Sequence, residues 1–402
     1  MACMEALKTD WAALEQRYYM RTFARQPVVF ERGEGCYVYD DAGKPYLDLV
    51  AGIAVNILGH AHPVLVEAIT AQAKKLIHAS SLYYTEPQLE LAQWLIERSP
   101  ADRIFFTNSG AEANEGAIKI ARKYGRQQRN GAFEIITILN SFHGRTLATL
   151  AATGQPHYHE PFLPMPEGFR YVPFNDFGAL EQAVSASTAA IMLEAVQGES
   201  GVHPHSEEYL KAVRELCDRE NILLICDEVQ CGLGRTGTFY GFERYGIEPD
   251  VITLAKGLAG GLPIGAFLAK ERAAVLTAGD HGSTMGGNPV CCAAGVAAMQ
   301  YLEEQHLAEN AARMGEAFAA ELSNLRETYP GITDIRAVGL MVAFDTKEPI
   351  ARETVLEGLK RGVVINATGP NTIRMVPPLI LTAAEVEKGV GLIADSLKAV
   401  GG

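Results

Sequence analysis

Residues 222–230 read ILLICDEVQ. Five apolar residues, Ile222 to Cys226, have the length and composition of a strand buried on both faces, and two carboxylates, Asp227 and Glu228, follow at once. The same kind of run recurs in RIFFTN (103–108), EIITIL (134–139), AAIMLEAV (189–196), VITLA (251–255) and GAFLA (265–269), with helical stretches between. This alternation predicts an α/β fold with a mainly parallel, helix-covered sheet, placed in a large domain over residues 59–299. Before it, a short helix and the segment VVFERGEGCYVYDDAGKPYLDLVAG (28–52) predict antiparallel strands about the Asp41–Lys44 turn. After the helical stretch NPVCCAAGVAAMQYLEEQ (288–305), RAVGLMVAFD, GVVINAT and TIRMVPPL each read as a strand, and a capping box, Thr382-x-x-Glu385, opens the last helix. Residues 1–58 hold too few elements for a core of their own. They are expected to join residues 300–402 in a small α+β domain.

The bulk properties narrow the function. A chain of 402 residues with 48% apolar and 21% charged residues is expected to be globular throughout. A net charge of −13 opposes binding to nucleic acid, which depends on clustered Lys and Arg to neutralise phosphates, so a small-molecule partner is expected. No apolar stretch approaches the ~20 residues that span a bilayer, and the polar N-terminus lacks signal-peptide character, which together predict a cytoplasmic protein. Seven cysteines without a C-x-x-C spacing indicate neither a disulfide framework nor a zinc site. Three His-x-His pairs, at 60/62, 157/159 and 203/205, lie in loop-like sequence without adjacent Cys or carboxylate partners, so no metal is expected.

Ligands of open α/β sheets bind beyond the carboxyl ends of the strands, so the polar residues after each run are the candidates. After RIFFT, Ser109-x-x-Glu112 reads as a capping box. It opens a helix with a face of Ala113, Ala117, Ile120, Ala121 and Tyr124 and an end at Gly125. Ser109, Gly110 and Ala111 then present backbone N–H groups suited to a phosphate. After EIITIL come Phe142, His143 and Arg145: an aromatic ring able to stack on a planar ligand and a guanidinium able to hold a carboxylate. Asp227, placed directly after a buried run, requires something cationic opposite, and a protonated ring nitrogen answers that need. Lys256 follows VITLA with few charged neighbours, where desolvation would free its amine as a nucleophile for a Schiff base. Each residue alone is compatible with an ordinary cap, ion pair or surface side chain. Together they match pyridoxal phosphate. The run GLGRTG (232–237) fits G-x-G-x-x-G, yet polar residues separate it from the strand and no amphipathic helix follows, so a nicotinamide-dependent oxidoreductase is the remote alternative.

Eight stretches carry a resemblance across nearly the whole chain: LDLVAGIAVNILGHAHP, TNSGAEANEGAIKIAR, FHGRT, EAVQGESGV, ICDEVQCGLGRTG, LAKGLAGGLPIGA, STMGGNP and NTIRMVPPLILT. With these the chain resembles the class III, fold-type I pyridoxal-phosphate aminotransferases, and within them the branch acting on acylated ornithine. The resemblance implies that Lys256 carries the cofactor, Asp227 pairs with its ring nitrogen, Gln230 bonds its phenolic oxygen, Phe142 stacks on the ring, and Gly110 and Ala111 hold the phosphate. It further implies a homodimer with shared active sites, in which Thr284 reaches the phosphate of the neighbouring subunit and Ser283 lies near the substrate. The expected substrates are N2-acetylornithine, 2-oxoglutarate and glutamate. Arg374 would bind the α-carboxylate of glutamate, Glu199 would neutralise Arg374 in the other half-reaction, and Arg145 would serve the far carboxylate. Relatives acting on free ornithine carry a tyrosine where this chain has Gly52, so Gly52 is expected to leave room for an acyl group, unless it only meets a backbone requirement. N-succinylornithine, free ornithine, 4-aminobutyrate and acyl-lysine-pathway amines are the alternative substrates.

Overall fold

Apolar runs flanked by amphipathic helices assemble into a seven-stranded sheet in the computed structural model, which describes residues 10–401. Cys3 lies outside the described residues. Across the sheet the strands are Arg103–Thr107, Gly265–Ala269, Val251–Leu254, Leu223–Asp227, Thr188–Leu193, Glu134–Ile138 and Phe169–Val172. Gly265–Ala269 runs antiparallel to both of its neighbours, and the other pairings are parallel. Every residue of Leu223–Asp227 and Thr188–Leu193 is buried, as a sheet covered on both faces requires. The edge strand Phe169–Val172 carries no uninterrupted buried run, because its two central residues, Arg170 and Tyr171, are exposed, and its sequence pattern does not announce it.

Register decides where the chemistry sits. Asp227 is the last residue of its strand and pairs with Thr253, so Lys256 lies three residues beyond the same level on the next strand. On the other side Cys226 pairs with Leu193, which puts Glu194 level with Asp227. The helix Gly110–Gln128 buries Ala113, Ala117, Ile120, Ala121 and Tyr124 as expected but continues past Gly125. Gly125 serves close approach rather than termination: a Cβ there would lie 2.1 Å from the Ala132 carbonyl oxygen. The cap also differs from a simple box. Ser109 Oγ accepts from Glu112 N at 3.2 Å, but the Glu112 carboxylate reaches back one residue further, to Asn108 N at 2.7 Å.

Phe30–Glu34, Tyr37–Asp40 and Pro45–Asp48 form an antiparallel meander, and Val363–Val364 joins it in parallel beside Pro45–Asp48. Asp40 closes the expected turn by accepting from Ala42 N and Lys44 N at 3.0 and 2.9 Å. A second four-stranded sheet contains Ile332–Val338, Met341–Thr346, Thr372–Met375 and Asn366–Ala367. RAVGLMVAFD is therefore a hairpin rather than one strand, turned at Gly339, whose φ of +54° favours glycine. The last helix, Ala383–Gly401, begins at a reciprocal box: Thr382 N donates to Glu385 Oε2 at 2.8 Å, and Glu385 N to Thr382 Oγ1 at 3.3 Å. Among the described residues no helix is long and apolar enough to cross a membrane.

Two glycine-to-alanine changes separate packing from helix propensity. Gly125→Ala should destabilise the protein by about 1–3 kcal/mol because of the carbonyl contact. Gly178→Ala, exposed in the helix Phe177–Ala183, should be neutral or stabilise by up to ~1 kcal/mol. Denaturant unfolding of both variants provides the check, and an equal response would contradict the packing account.

Candidate active site

A cavity of about 460 Å³ opens at the strand ends. It is lined by Ser109, Gly110, Ala111, Phe142, Arg145, Glu199, Asp227, Gln230 and Lys256, nine of the residues singled out from sequence. Arg374, Ser283, Thr284 and Gly52 are not in the lining. Arg374 is buried directly behind it, bonded to Glu199 and Gln230, and Ser283 Oγ accepts from the lining residue Asn108 at 3.0 Å. Thr284 is exposed, and Gly52 precedes the lining residue Val55 by three positions.

Asp227 has 3% of its surface exposed and is partnered on both oxygens. Oδ2 accepts from Asn114 Nδ2 at 2.8 Å and lies 2.8 Å from His143 Nδ1, while Oδ1 accepts from Val229 N at 3.0 Å. Asn114 also donates to the His143 carbonyl at 2.7 Å and so ties the helix to the Phe142 loop. The sequence expectation missed both partners. The signal for Asn114 was available: it is a polar residue next to Ala113 on a face otherwise built for the core. Glu228 turns away from the cavity, accepting from Gly241 N and Phe242 N at 2.6 and 3.1 Å, and burial pushes its carboxyl up to about 8.

Lys256 does not stand among few charges, contrary to the sequence expectation. Its ammonium is lowered to about 8, chiefly by desolvation and also by Arg374, against the opposing pull of Glu199, Glu194 and Asp227. Its φ of +41° is uncommon for a residue with a side chain, and this local strain aims the chain into a glycine-rich turn. Glu194, also missed from sequence, accepts from Phe142 N at 3.0 Å and Gly198 N at 3.2 Å and so joins two loops of the rim. Burial holds its carboxyl above the ordinary range.

Arg374, 1% exposed, lies in the strand Thr372–Met375. Nη1 meets Glu199 Oε2 at 3.0 Å and donates to the Gly198 carbonyl at 2.8 Å, and Nη2 donates to Asn366 Oδ1 at 2.7 Å. Arg145 is exposed and places its guanidinium 4.0 Å from the centre of the Tyr158 ring and 5.4 Å from that of Phe142. Gly52 belongs to a left-handed turn in which Ala51, Gly52, Ile53 and Ala54 have φ of 51, 65, 67 and 62°. A Cβ at Gly52 would meet only Asn56 Nδ2 at 3.4 Å and Val55 Cβ at 3.7 Å, so the backbone constrains this position more than space does.

The His60/His62 pair also departs from expectation, since His60 Nε2 lies 2.7 Å from Asp48 Oδ2. That carboxylate also accepts from Val50 N and Ala51 N, at 2.9 Å each, at the entrance to the left-handed turn. The GLGRTG loop is followed by the short 3-10 turn Gly241–Tyr245 rather than a dinucleotide-binding helix.

A pyridoxal phosphate has a fitting donor set here. The first-turn N–H groups of Gly110 and Ala111 have no intrahelical carbonyl within reach. Gly110 has no room for a side chain, as its Cβ would fall 2.8 Å from Val229 Cγ1. Asp227 supplies a buried anion for a ring nitrogen, and Lys256 supplies a partly neutral amine.

The model of the class-III aminotransferase family matches residues 18–397. An acetylornithine aminotransferase of Caldanaerobacter subterraneus is 50% identical over 96% of this chain and 98% of its own length. That of Methanocaldococcus jannaschii is 51% identical over 94% and 95%. Among solved structures, the ornithine aminotransferase of Toxoplasma gondii superposes with a TM-score of 0.93 at 33% identity, covering 98% of this chain and 96% of that one. The acetylornithine aminotransferase of Elizabethkingia anophelis gives 0.86 at 34%, covering 96% and 98%. With a family match over almost its whole length and a lysine, a buried aspartate and an arginine gathered at one sheet edge, this chain belongs to the class-III aminotransferases.

Proposed function

We propose that the protein binds pyridoxal phosphate and transfers the δ-amino group of N2-acetylornithine to 2-oxoglutarate, yielding N-acetylglutamate 5-semialdehyde and glutamate for arginine biosynthesis. The observation that carries this reading is the Arg374–Glu199 pair at 3.0 Å beside the Lys256 cavity. A site of this kind must accept glutamate, with a carboxylate on the reacting carbon, and an ω-amine, without one. Glu199 satisfies Arg374 when no carboxylate is present and, with a third of its side chain exposed, can swing out when one arrives. Replacing one counter-ion by another avoids leaving the buried guanidinium unpaired.

When bound, pyridoxal phosphate supplies an electron sink for the bond broken at the substrate carbon. Gly110 and Ala111 hold its phosphate, Gln230 its phenolic oxygen, and Phe142 its ring face. The carboxylate of Asp227, fixed by Asn114 and His143, keeps a proton on the ring nitrogen. Lys256 Nζ, neutral in part near pH 8, takes the proton from the reacting substrate carbon and returns one. Arg145 holds the far carboxylate of either substrate.

The deciding assay compares kcat/KM for N2-acetylornithine, N2-succinylornithine, free ornithine and 4-aminobutyrate at fixed 2-oxoglutarate. The acylated substrates should lead, and a preference for free ornithine would reject the assignment. In single turnovers, Glu199→Gln should slow the acetylornithine half-reaction by roughly tenfold more than the glutamate half-reaction. Equal losses would remove the switch.

Lys256 also sets a pH dependence that is measurable without turnover. A folded-state amine lowered to about 8 becomes neutral as pH rises through 8. The rate at which cofactor-free protein combines with pyridoxal phosphate should therefore climb to about pH 8 and then level off. A rate still rising at pH 10 would place the lysine at its ordinary value.

A homodimer belongs to the same proposal. Leu82, Tyr84 and Met285 expose 84, 93 and 55% of their surface, and Met285 adjoins Thr284, so a second copy covering this face would bring Thr284 to its neighbour's phosphate. Light scattering should give twice the 43.4 kDa chain mass, reduced toward a single chain by Leu82→Asp with Tyr84→Asp. A wild-type monomer with full activity would contradict shared sites.

A further inference from the structure

The GLGRTG loop remains without a role once dinucleotide binding is set aside, and its arginine is buried to 1% exposure. Gly234 and Gly237, with φ of +82° and +94°, wind the loop tightly against Leu379 and Ala312 respectively. Arg235 is thereby driven inward, and among the described residues no carboxylate pairs with it. Nη1 donates to the carbonyls of Leu340, at 3.2 Å, and Pro377. The arginine's own carbonyl accepts from Leu340 N at 2.9 Å, and Gly339 admits this contact because a Cβ there would lie 2.5 Å from that oxygen.

These two carbonyls belong to functionally placed segments. Leu340 joins the hairpin strands Ile332–Val338 and Met341–Thr346, and the second of these pairs Ala343 with Arg374. Pro377 lies three residues beyond Arg374, in a strap held on its other side by Val376 N to Leu49 O at 2.8 Å and Leu379 N to Ile57 O at 2.7 Å. Arg235 itself is eight residues past Asp227, in the loop that also supplies Gln230. Only Nη1 of this buried cation is satisfied, since Nε and Nη2 find no partner among the described residues, so releasing either carbonyl would add to a desolvation cost that is already incompletely met.

We infer that Arg235 is a positioning residue that ties the loop after Asp227 to both segments flanking Arg374, and so sets the distance between the cofactor side and the carboxylate-binding side of the cavity. This rests on the proposal that Arg374 receives a substrate carboxylate. It makes Arg235 selective in effect: glutamate and 2-oxoglutarate depend on the placement of Arg374, whereas the ω-amine donor meets Arg374 only as a neutralised pair.

Holoenzyme carrying Arg235→Met or Arg235→Lys tests the tie. Glutarate binding by calorimetry should weaken, and KM for glutamate should rise, by about tenfold or more in Arg235→Met. In single turnovers without 2-oxoglutarate, the rate and half-saturation for N2-acetylornithine should stay within about threefold, with thermal unfolding recording the fold of each variant. Arg235→Lys, which keeps the charge but not the planar fork, should fall between wild type and Arg235→Met. Equal losses for both donors, or glutarate binding unchanged in Arg235→Met, would overturn the inference. Should Arg235→Met fail to fold, the same comparison in Arg235→Lys decides, and equal effects there overturn it too. Failure of the wild-type enzyme to use N2-acetylornithine counts against the proposed function alone, because glutarate binding reports on the tie directly.

Discussion

A carboxylate cannot end a strand buried on both faces without partners, and Asp227 does so. Its needs organise the surroundings. Asn114 comes from the helix whose first turn, Gly110 and Ala111, lines the cavity, His143 from the loop that carries Phe142, and Val229 from its own loop. Three elements that line the cavity are thus hydrogen-bonded to one side chain. The close approach depends on small residues at contact points: Gly110 against Val229, and Gly265, whose Cβ would sit 2.3 Å from the Ser109 carbonyl.

Charge is arranged around Lys256 with similar economy. Arg374 and desolvation favour the neutral amine, while Glu199, Glu194 and Asp227 favour the ammonium, and the balance leaves an amine near pH 8 that can exchange protons under physiological conditions. Because Glu199 is paired with Arg374, any movement of Glu199 on substrate binding alters the field at Lys256 as well. On the proposed function, carboxylate recognition at Arg374 and lysine basicity are therefore linked physically rather than independent features of the cavity.

Much of this was legible in the chain. The apolar runs announced six strands of the main sheet, because strands buried on both faces leave an uninterrupted apolar signature, and the residues read after those runs place Ser109, Gly110, Ala111, Phe142, Arg145, Asp227 and Lys256 in the cavity lining. The edge strand Phe169–Val172 was silent, since half-exposed positions there carry Arg and Tyr. Gly125 misled because a glycine required for backbone approach is indistinguishable, in one sequence, from a glycine that stops a helix. Gly339 hid a hairpin turn for a related reason.

By itself, then, the sequence determined the α/β alternation, the strand-end location of the chemistry and the identity of Lys256, Asp227 and Phe142 as its candidates, because periodicity and composition are local properties. Tertiary structure alone decided the partners. His143 with Asp227, Asn114 with Asp227 and Arg235 with Pro377 lie 84, 113 and 142 residues apart, and no local pattern encodes such distances. It also turned Glu228 away from the cavity although it adjoins Asp227, for adjacent residues at a strand end point to opposite faces of the sheet. Which of two neighbouring carboxylates faces the site is settled by the pleat, and what each one pairs with is settled by the packing of distant segments around it.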